Sequence, residues 1–153
     1  MKYILVLLLC NVCLSSNALA NKWNYLGEMF GSQNYNSSES KDLIFTFKKE
    51  YNKFKVKDIG QADFYKRLDS RKRASFQVAG LENWKGSKYK TFKFENYKVL
   101  DVSGSYIRGD GERIYFREWY TLDGESIYTG LLTSRNKKLM TRKFLISSLE
   151  EVF

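Results

Sequence analysis

The spacing of apolar and polar positions changes several times along this chain, and each change marks a candidate element. In "LIFTFKKEY", residues 43–51, Leu43, Phe45 and Phe47 alternate with Ile44, Thr46 and Lys48. That period of two predicts a strand with one buried face. "KFKVKDI" repeats the alternation with Lys53, Lys55 and Lys57 against Phe54 and Val56, which predicts a second strand across a short hairpin. In "ADFYKRLDSRKR" the positions of Phe64, Tyr65 and Leu68 suit a short helix, and "ASFQVAG" reads as a short strand ending in glycine. After a loop at "LENWKGSK", the run "YKTFKFENYKVLDVS" sets Phe92 and Phe94 on one face and Thr91, Lys93 and Glu95 on the other. Tyr97 and Val99 fall out of that phase, so Glu95-Asn96 holds either a bulge or the start of a new strand.

The clearest local signal is "SYIRGDGERIYFREWYTLDGESIYTG", residues 105–130, where Gly109-Asp110-Gly111 and Asp123-Gly124 separate strand-like runs. Both supply the positive-φ positions of tight hairpins. Arg113 to Tyr120 is then a central strand, with Ile114, Phe116 and Glu118 facing one way and Tyr115, Arg117 and Trp119 the other. The glycines lead into no helix and carry too few spaced oxygen ligands for a phosphate or calcium loop. At the end, "TRKFLISSLEEVF" changes to helical period, with Leu145, Leu149 and Val152 on one face and Thr141 placed to cap. At the start, "NKWNYLGEMF" suits either a strand ending at Gly27 or a helical turn, and the polar, aperiodic "GSQNYNSSESKD" reads as a loop. Strands followed by a terminal helix predict an α+β domain, a small antiparallel sheet with a C-terminal helix packed on it.

The first 20 residues have another pattern. Lys2, the unbroken apolar run Ile4 to Leu9 and the small-x-small triplet Ala18-Leu19-Ala20 match a secretory signal peptide. The run is too short for a comfortable membrane span. The expected mature chain is one domain, residues 21–153, in the periplasm or outside the cell. Cys10 and Cys13, the only cysteines, leave with the leader, so no disulfide framework is expected.

Composition narrows the chemistry. Histidine is absent, which excludes the usual serine and cysteine hydrolase triads and removes the commonest zinc ligand. No metal or cofactor is expected. The net charge is +9, and residues 48–98 hold 15 basic and 6 acidic side chains. Gathered on one face, that excess would attract an anionic envelope or glycan surface, or an acidic protein. The chain also carries 3 tryptophans, 11 tyrosines and 11 phenylalanines. Aromatic and arginine side chains make efficient interface anchors. The candidate binding residues are therefore Lys53, Lys55, Lys57, Lys90 and Lys93 from the basic middle, with Arg117, Trp119 and Tyr120 from the aromatic meander. Nucleic acid is not an expected partner in an exported compartment. Glu118, Asp110 and Glu112 are the carboxylates that a glycan hydrolase would need, and an immunity or inhibitor protein against a secreted toxin is the other alternative.

In Trp23, Leu26-Gly27, the lysine-rich aromatic strands, Leu122-Asp123-Gly124 and Ile146-Ser147-Ser148-Leu149, the chain resembles the surface-adhesin protein E family of small exported bacterial proteins. The resemblance implies a small antiparallel sheet with helices, no enzymatic role and attachment to surfaces. The combined expectation is an exported accessory protein that binds rather than transforms. Material from the native envelope should show the intact mass of a chain beginning at Asn21; cytosolic protein beginning at Met1 would overturn the export assignment.

Overall fold

The computed structural model describes residues 22–53, 55–78 and 82–153, and for 75–78 and 82–87 the backbone alone. The expected leader, residues 1–20, lies outside the described residues. The elements run β1 Trp23–Met29, β2 Ser32–Ser37, β3 Ile44–Tyr51, α1 Ala62–Val78, β4 Glu82–Phe94, β5 Tyr97–Ile107, β6 Arg113–Asp123, β7 Ser126–Ser134 and α2 Arg142–Glu150. All seven strands form one sheet in the order β1-β2-β3-β7-β6-β5-β4, and every pairing is antiparallel. The chain thus makes two meanders, β1–β3 and β4–β7, joined through α1 and sealed by β3 pairing with β7. This is the expected α+β class, with α2 packed on the sheet.

Alternation along β6 divides the interior into two cores. Trp119 points to the side where Trp23, Phe45, Val99 and Leu132 meet Phe144, Leu145 and Leu149 of α2. Phe116 and Tyr120 point to the other, where Leu100, Val102 and Ile59 meet Phe64, Tyr65 and Leu68 of α1. Glu95, at φ 49, turns the chain between β4 and β5, so the break in phase there is a strand boundary. Thr141 caps α2, its hydroxyl accepting from the Phe144 N–H at 3.4 Å.

Four local expectations are corrected. Residue 53 and residues 55–59 are loop rather than strand, and Phe54 lies outside the described residues. The Asn52 amide donates to the Val56 carbonyl at 2.8 Å while its oxygen accepts from the Val56 N–H at 2.9 Å, which closes a tight ring, and Lys55 takes φ 48. "ASFQV" continues α1 to Val78 instead of starting a strand. The polar segment after Gly31 contains β2. Tyr35 anchors it, its ring 5.4 Å from both Tyr25 and Phe45, while Asn34 on the opposite face accepts from the Thr46 hydroxyl at 3.0 Å. "LENWKGSK" belongs mostly to β4, an edge strand whose register shifts between Glu82 and Lys88. Edge strands tolerate such irregularity, which blunts pairing with other chains.

Two indoles fix α2 to the sheet. Trp23 Nε1 donates to Ser147 Oγ at 3.0 Å and Trp119 Nε1 to Ser148 Oγ at 2.9 Å. The Trp119 ring lies over Gly130, its cross-strand partner, so closely that a methyl group there would sit 2.1 Å from the ring. Gly130→Ala is expected to destabilise the protein by about 1–3 kcal/mol through overpacking. Urea denaturation checks this, and an unchanged midpoint would refute the close contact.

Candidate functional site

The loop after β3 and the first turns of α1 build a cationic end on the α1 side of the sheet. Lys55, Lys57 and Arg67 line one depression of about 230 Å3 together with Gln61 and Asp63. The Asn52 ring sets the course of the loop, and Lys98 on β5 holds it through hydrogen bonds of 2.8 and 3.0 Å to Asp58. Those bonds, with a further one from the Gly60 N–H, hold the Asp58 carboxyl below its ordinary range. Arg67 is also part of the wall of a larger cleft, about 480 Å3, between α1 and the sheet. Val56, Phe64, Leu68, Tyr120 and Ile127 give that cleft its apolar lining; Lys66, Arg71 and Glu50 stand around it.

The eight residues expected from sequence separate into three groups. Lys55 and Lys57 are exposed and converge with Arg67, and Lys53 is exposed in the same loop. Lys90 and Lys93 are exposed on β4 but face opposite ways. Lys93 pairs with Lys98 across the strands, on the α1 side, whereas Lys90 pairs with Asp101 on the α2 side. The aromatic-arginine group is not a surface. Arg117 Nε and Nη2 donate to the two Asp101 oxygens at 2.9 and 2.6 Å, and Nη1 donates to the Met140 carbonyl at 3.3 Å. Trp119 is fully buried and its indole is committed to α2. Tyr120 is 6% exposed and lies against the cleft beneath α1, its ring meeting Phe64 edge-on at 5.9 Å. Because helices cover both faces of the meander, Phe116, Trp119 and Tyr120 go inward.

Sequence reasoning missed the α1 contribution, although Phe64, Arg67, Leu68 and Arg71 have the spacing of one helical face. It also missed the exposed apolar hairpin of Tyr25, Leu26, Met29 and Phe30. Phe30 is 94% exposed and, with Gly31, has positive φ, as a type I′ turn requires.

The carboxylates do not assemble a hydrolytic pair. Glu118 is buried in an ion pair with Lys72 of α1. Asp110 is held by Arg108, while Glu112 pairs with Arg108 and Arg135 at the far end of β6. Six residues of extended chain between Glu112 and Glu118 span about 20 Å. The two carboxyls of glycosidases are separated by roughly 5–9.5 Å. Among the described residues no group of three or more His, Cys, Asp or Glu is placed to hold a metal ion. No helix among them is long and apolar enough to cross a membrane.

No protein-family model matches the chain, and no curated protein sequence does. Among solved structures, the chain is similar to cyanobacterial PsbP (CyanoP) from Synechocystis sp. PCC 6803, with a TM-score of 0.56 and 15% identity over 86% of this chain and 80% of that one. A Bacteroides thetaiotaomicron protein matches at TM-score 0.50 and 13% identity over 82% of this chain, which spans 39% of that longer one. A Pseudomonas aeruginosa protein of unknown function matches at TM-score 0.48 and 10% identity, over 86% and 95% of the two chains. At such identities the likeness to CyanoP is a likeness of fold.

The Lys72–Glu118 pair beneath α1 has measurable consequences. Burial pushes the Lys72 ammonium down to about 7, with nearby Asp69 opposing. An unfolded lysine keeps its proton to about pH 10.4. Between those values the unfolded chain binds more protons, so this group makes the unfolding free energy rise with pH across that window. Lys72→Met should abolish the rise and, by leaving Glu118 buried alone, lower stability by about 3–5 kcal/mol. Lys72→Met/Glu118→Leu should recover most of the loss. Urea denaturation as a function of pH tests all three outcomes.

Proposed function

We propose that this is an exported accessory domain that binds an anionic envelope surface or an acidic protein partner, and that it acts by binding rather than by catalysis. The observation carrying this reading is the convergence of Lys55, Lys57 and Arg67 on one depression in which Asp63 is the single lining carboxylate. Lys93 extends the positive region beyond the Lys98–Asp58 pair, whose lysine is already engaged. Convergence matters because each basic side chain near an anionic membrane contributes about 1 kcal/mol, and salt screens the attraction over roughly 10 Å. Charges spread around the molecule would act on different parts of a flat partner; charges at one end act together.

The resemblance to the surface-adhesin protein E family belongs to the same proposal, since surface attachment is what it implies. The CyanoP-like sheet supplies the scaffold, and the loop, helix and β4 residues of this chain supply the chemistry. The expected compartment is extracytoplasmic, in keeping with the leader.

Vesicle sedimentation tests the reading. The protein should adsorb to phosphatidylglycerol vesicles, release as salt is raised, and ignore phosphatidylcholine vesicles. Lys55→Gln/Lys57→Gln/Arg67→Gln should weaken adsorption by about 3 kcal/mol, roughly a hundredfold. Equal adsorption to both lipids, or an unchanged triple variant, would overturn the proposal for a membrane surface and its use of this end of the molecule.

A further inference from the structure

The cleft beneath α1 is more than a gap in packing. Its volume, about 480 Å3, falls in the lower half of the roughly 300–1,000 Å3 occupied by small-molecule sites. Within its lining Val56, Phe64, Leu68 and Ile127 remain only half-buried, so folding leaves apolar surface there that an occupant would cover. Three cations, Lys66, Arg67 and Arg71, stand around it against one carboxylate, Glu50.

A second, independent observation is the Tyr120 phenol. The side chain is more than nine-tenths buried and is part of the cleft lining. A phenol in an otherwise largely apolar lining offers the polar head of an occupant a hydrogen-bond donor. Burial raises the phenol far above its ordinary ionisation range, which keeps it a donor. Arg71 and Glu50, both of the cleft wall, are among the charges it senses.

We propose that this cleft binds a single-chain anionic amphiphile: an alkyl chain laid between α1 and the sheet, and a carboxylate or phosphate head held by Arg67, Arg71 and the Tyr120 hydroxyl. The apolar walls select the chain and the size of the cleft limits it to one. The excess of cations over carboxylates in the lining suits an anionic head. The site lies beside the surface proposed for vesicle adsorption, shares Arg67 with it, and does not depend on it.

Palmitate and palmitoyl-lysophosphatidylglycerol, each below its micellar concentration, are the probes, with tetradecanol and palmitoyl-lysophosphatidylcholine as the neutral and zwitterionic comparisons. Isothermal titration and native mass spectrometry should show saturable one-to-one binding of at least one anionic probe, about tenfold or more tighter than either comparison. Binding of palmitate alone supports a carboxylate head, of the lysophospholipid alone a phosphate head, and of both the shared chemistry. Arg71→Gln and Tyr120→Phe should weaken the anions and leave tetradecanol unchanged. Leu68→Trp should fill the cleft and abolish binding while vesicle adsorption persists. Thr129→Phe does the same from the sheet wall and serves should the helix variant fail to fold. Absence of saturable binding to both anions, or binding undiminished in a folded cleft-filling variant, overturns the inference. Vesicle adsorption without amphiphile binding removes this proposal alone, and amphiphile binding without vesicle adsorption removes only the surface reading.

Discussion

The fold turns on two indole N–H groups that reach neighbouring hydroxyls on one short helix. Trp23 comes from the first strand and Trp119 from the sixth, yet they donate to Ser147 and Ser148, successive residues of α2. Two bonds about 100° apart on the helix fix both its roll and its height above the sheet. Each serine and each indole is buried, so losing one partner strands the other at a cost of about 1–3 kcal/mol. The Ser148 hydroxyl also donates back to the Leu145 carbonyl at 2.8 Å, which leaves it one preferred orientation. Trp119 can lie flat on the sheet because its cross-strand neighbour is Gly130. Phe153 then closes the edge of the same core, 4.3 Å from the Tyr97 ring and 5.3 Å from that of Tyr128.

The two faces of the sheet are built on different principles. In the core on the α2 side the buried polar groups find partners inside the protein, Arg117 with Asp101 above all. The α1 side carries the buried Lys72–Glu118 pair, an apolar cleft with a half-open mouth, and the cationic loop. Buried polar groups that are answered internally contribute stability to the α2 core. A face that leaves apolar area half-covered gives up some stability and gains the capacity to recognise. The cationic end and the cleft therefore lie on the side held by the less complete packing.

Legibility followed whether the local pattern carried its own partner. β3, β6 and the two hairpin turns were readable because alternation and Asp-Gly or Gly-Asp-Gly turns are local, and neighbouring strands pair with them directly. α2 was readable from Leu145, Leu149 and Val152 with the Thr141 cap. β2 was not, since its strand character comes from being held between β1 and β3 through Tyr35, while its remaining side chains are polar. The alternation of Lys53, Lys55 and Lys57 misled because one side chain, Asn52, satisfies the Val56 backbone ahead of it and closes the chain into a loop. For the site, the basic excess in the middle of the chain was plain, but its sorting onto Lys55, Lys57 and Arg67 required the loop and α1 to be brought together.

Taken alone, the order of residues determined the α+β class, the central meander, the closing helix and the concentration of positive charge, because each depends on short-range period or on simple counting. Only the tertiary structure decided which side of each strand is wet. Arg117, Trp119 and Tyr120 are consecutive or nearly so, and nothing local distinguishes an exposed aromatic-arginine patch from a pair of cores. The difference arises because two helices, one entering from the middle of the chain and one from its end, cover opposite faces of the same strand. Burial is a property of what arrives from elsewhere in the sequence.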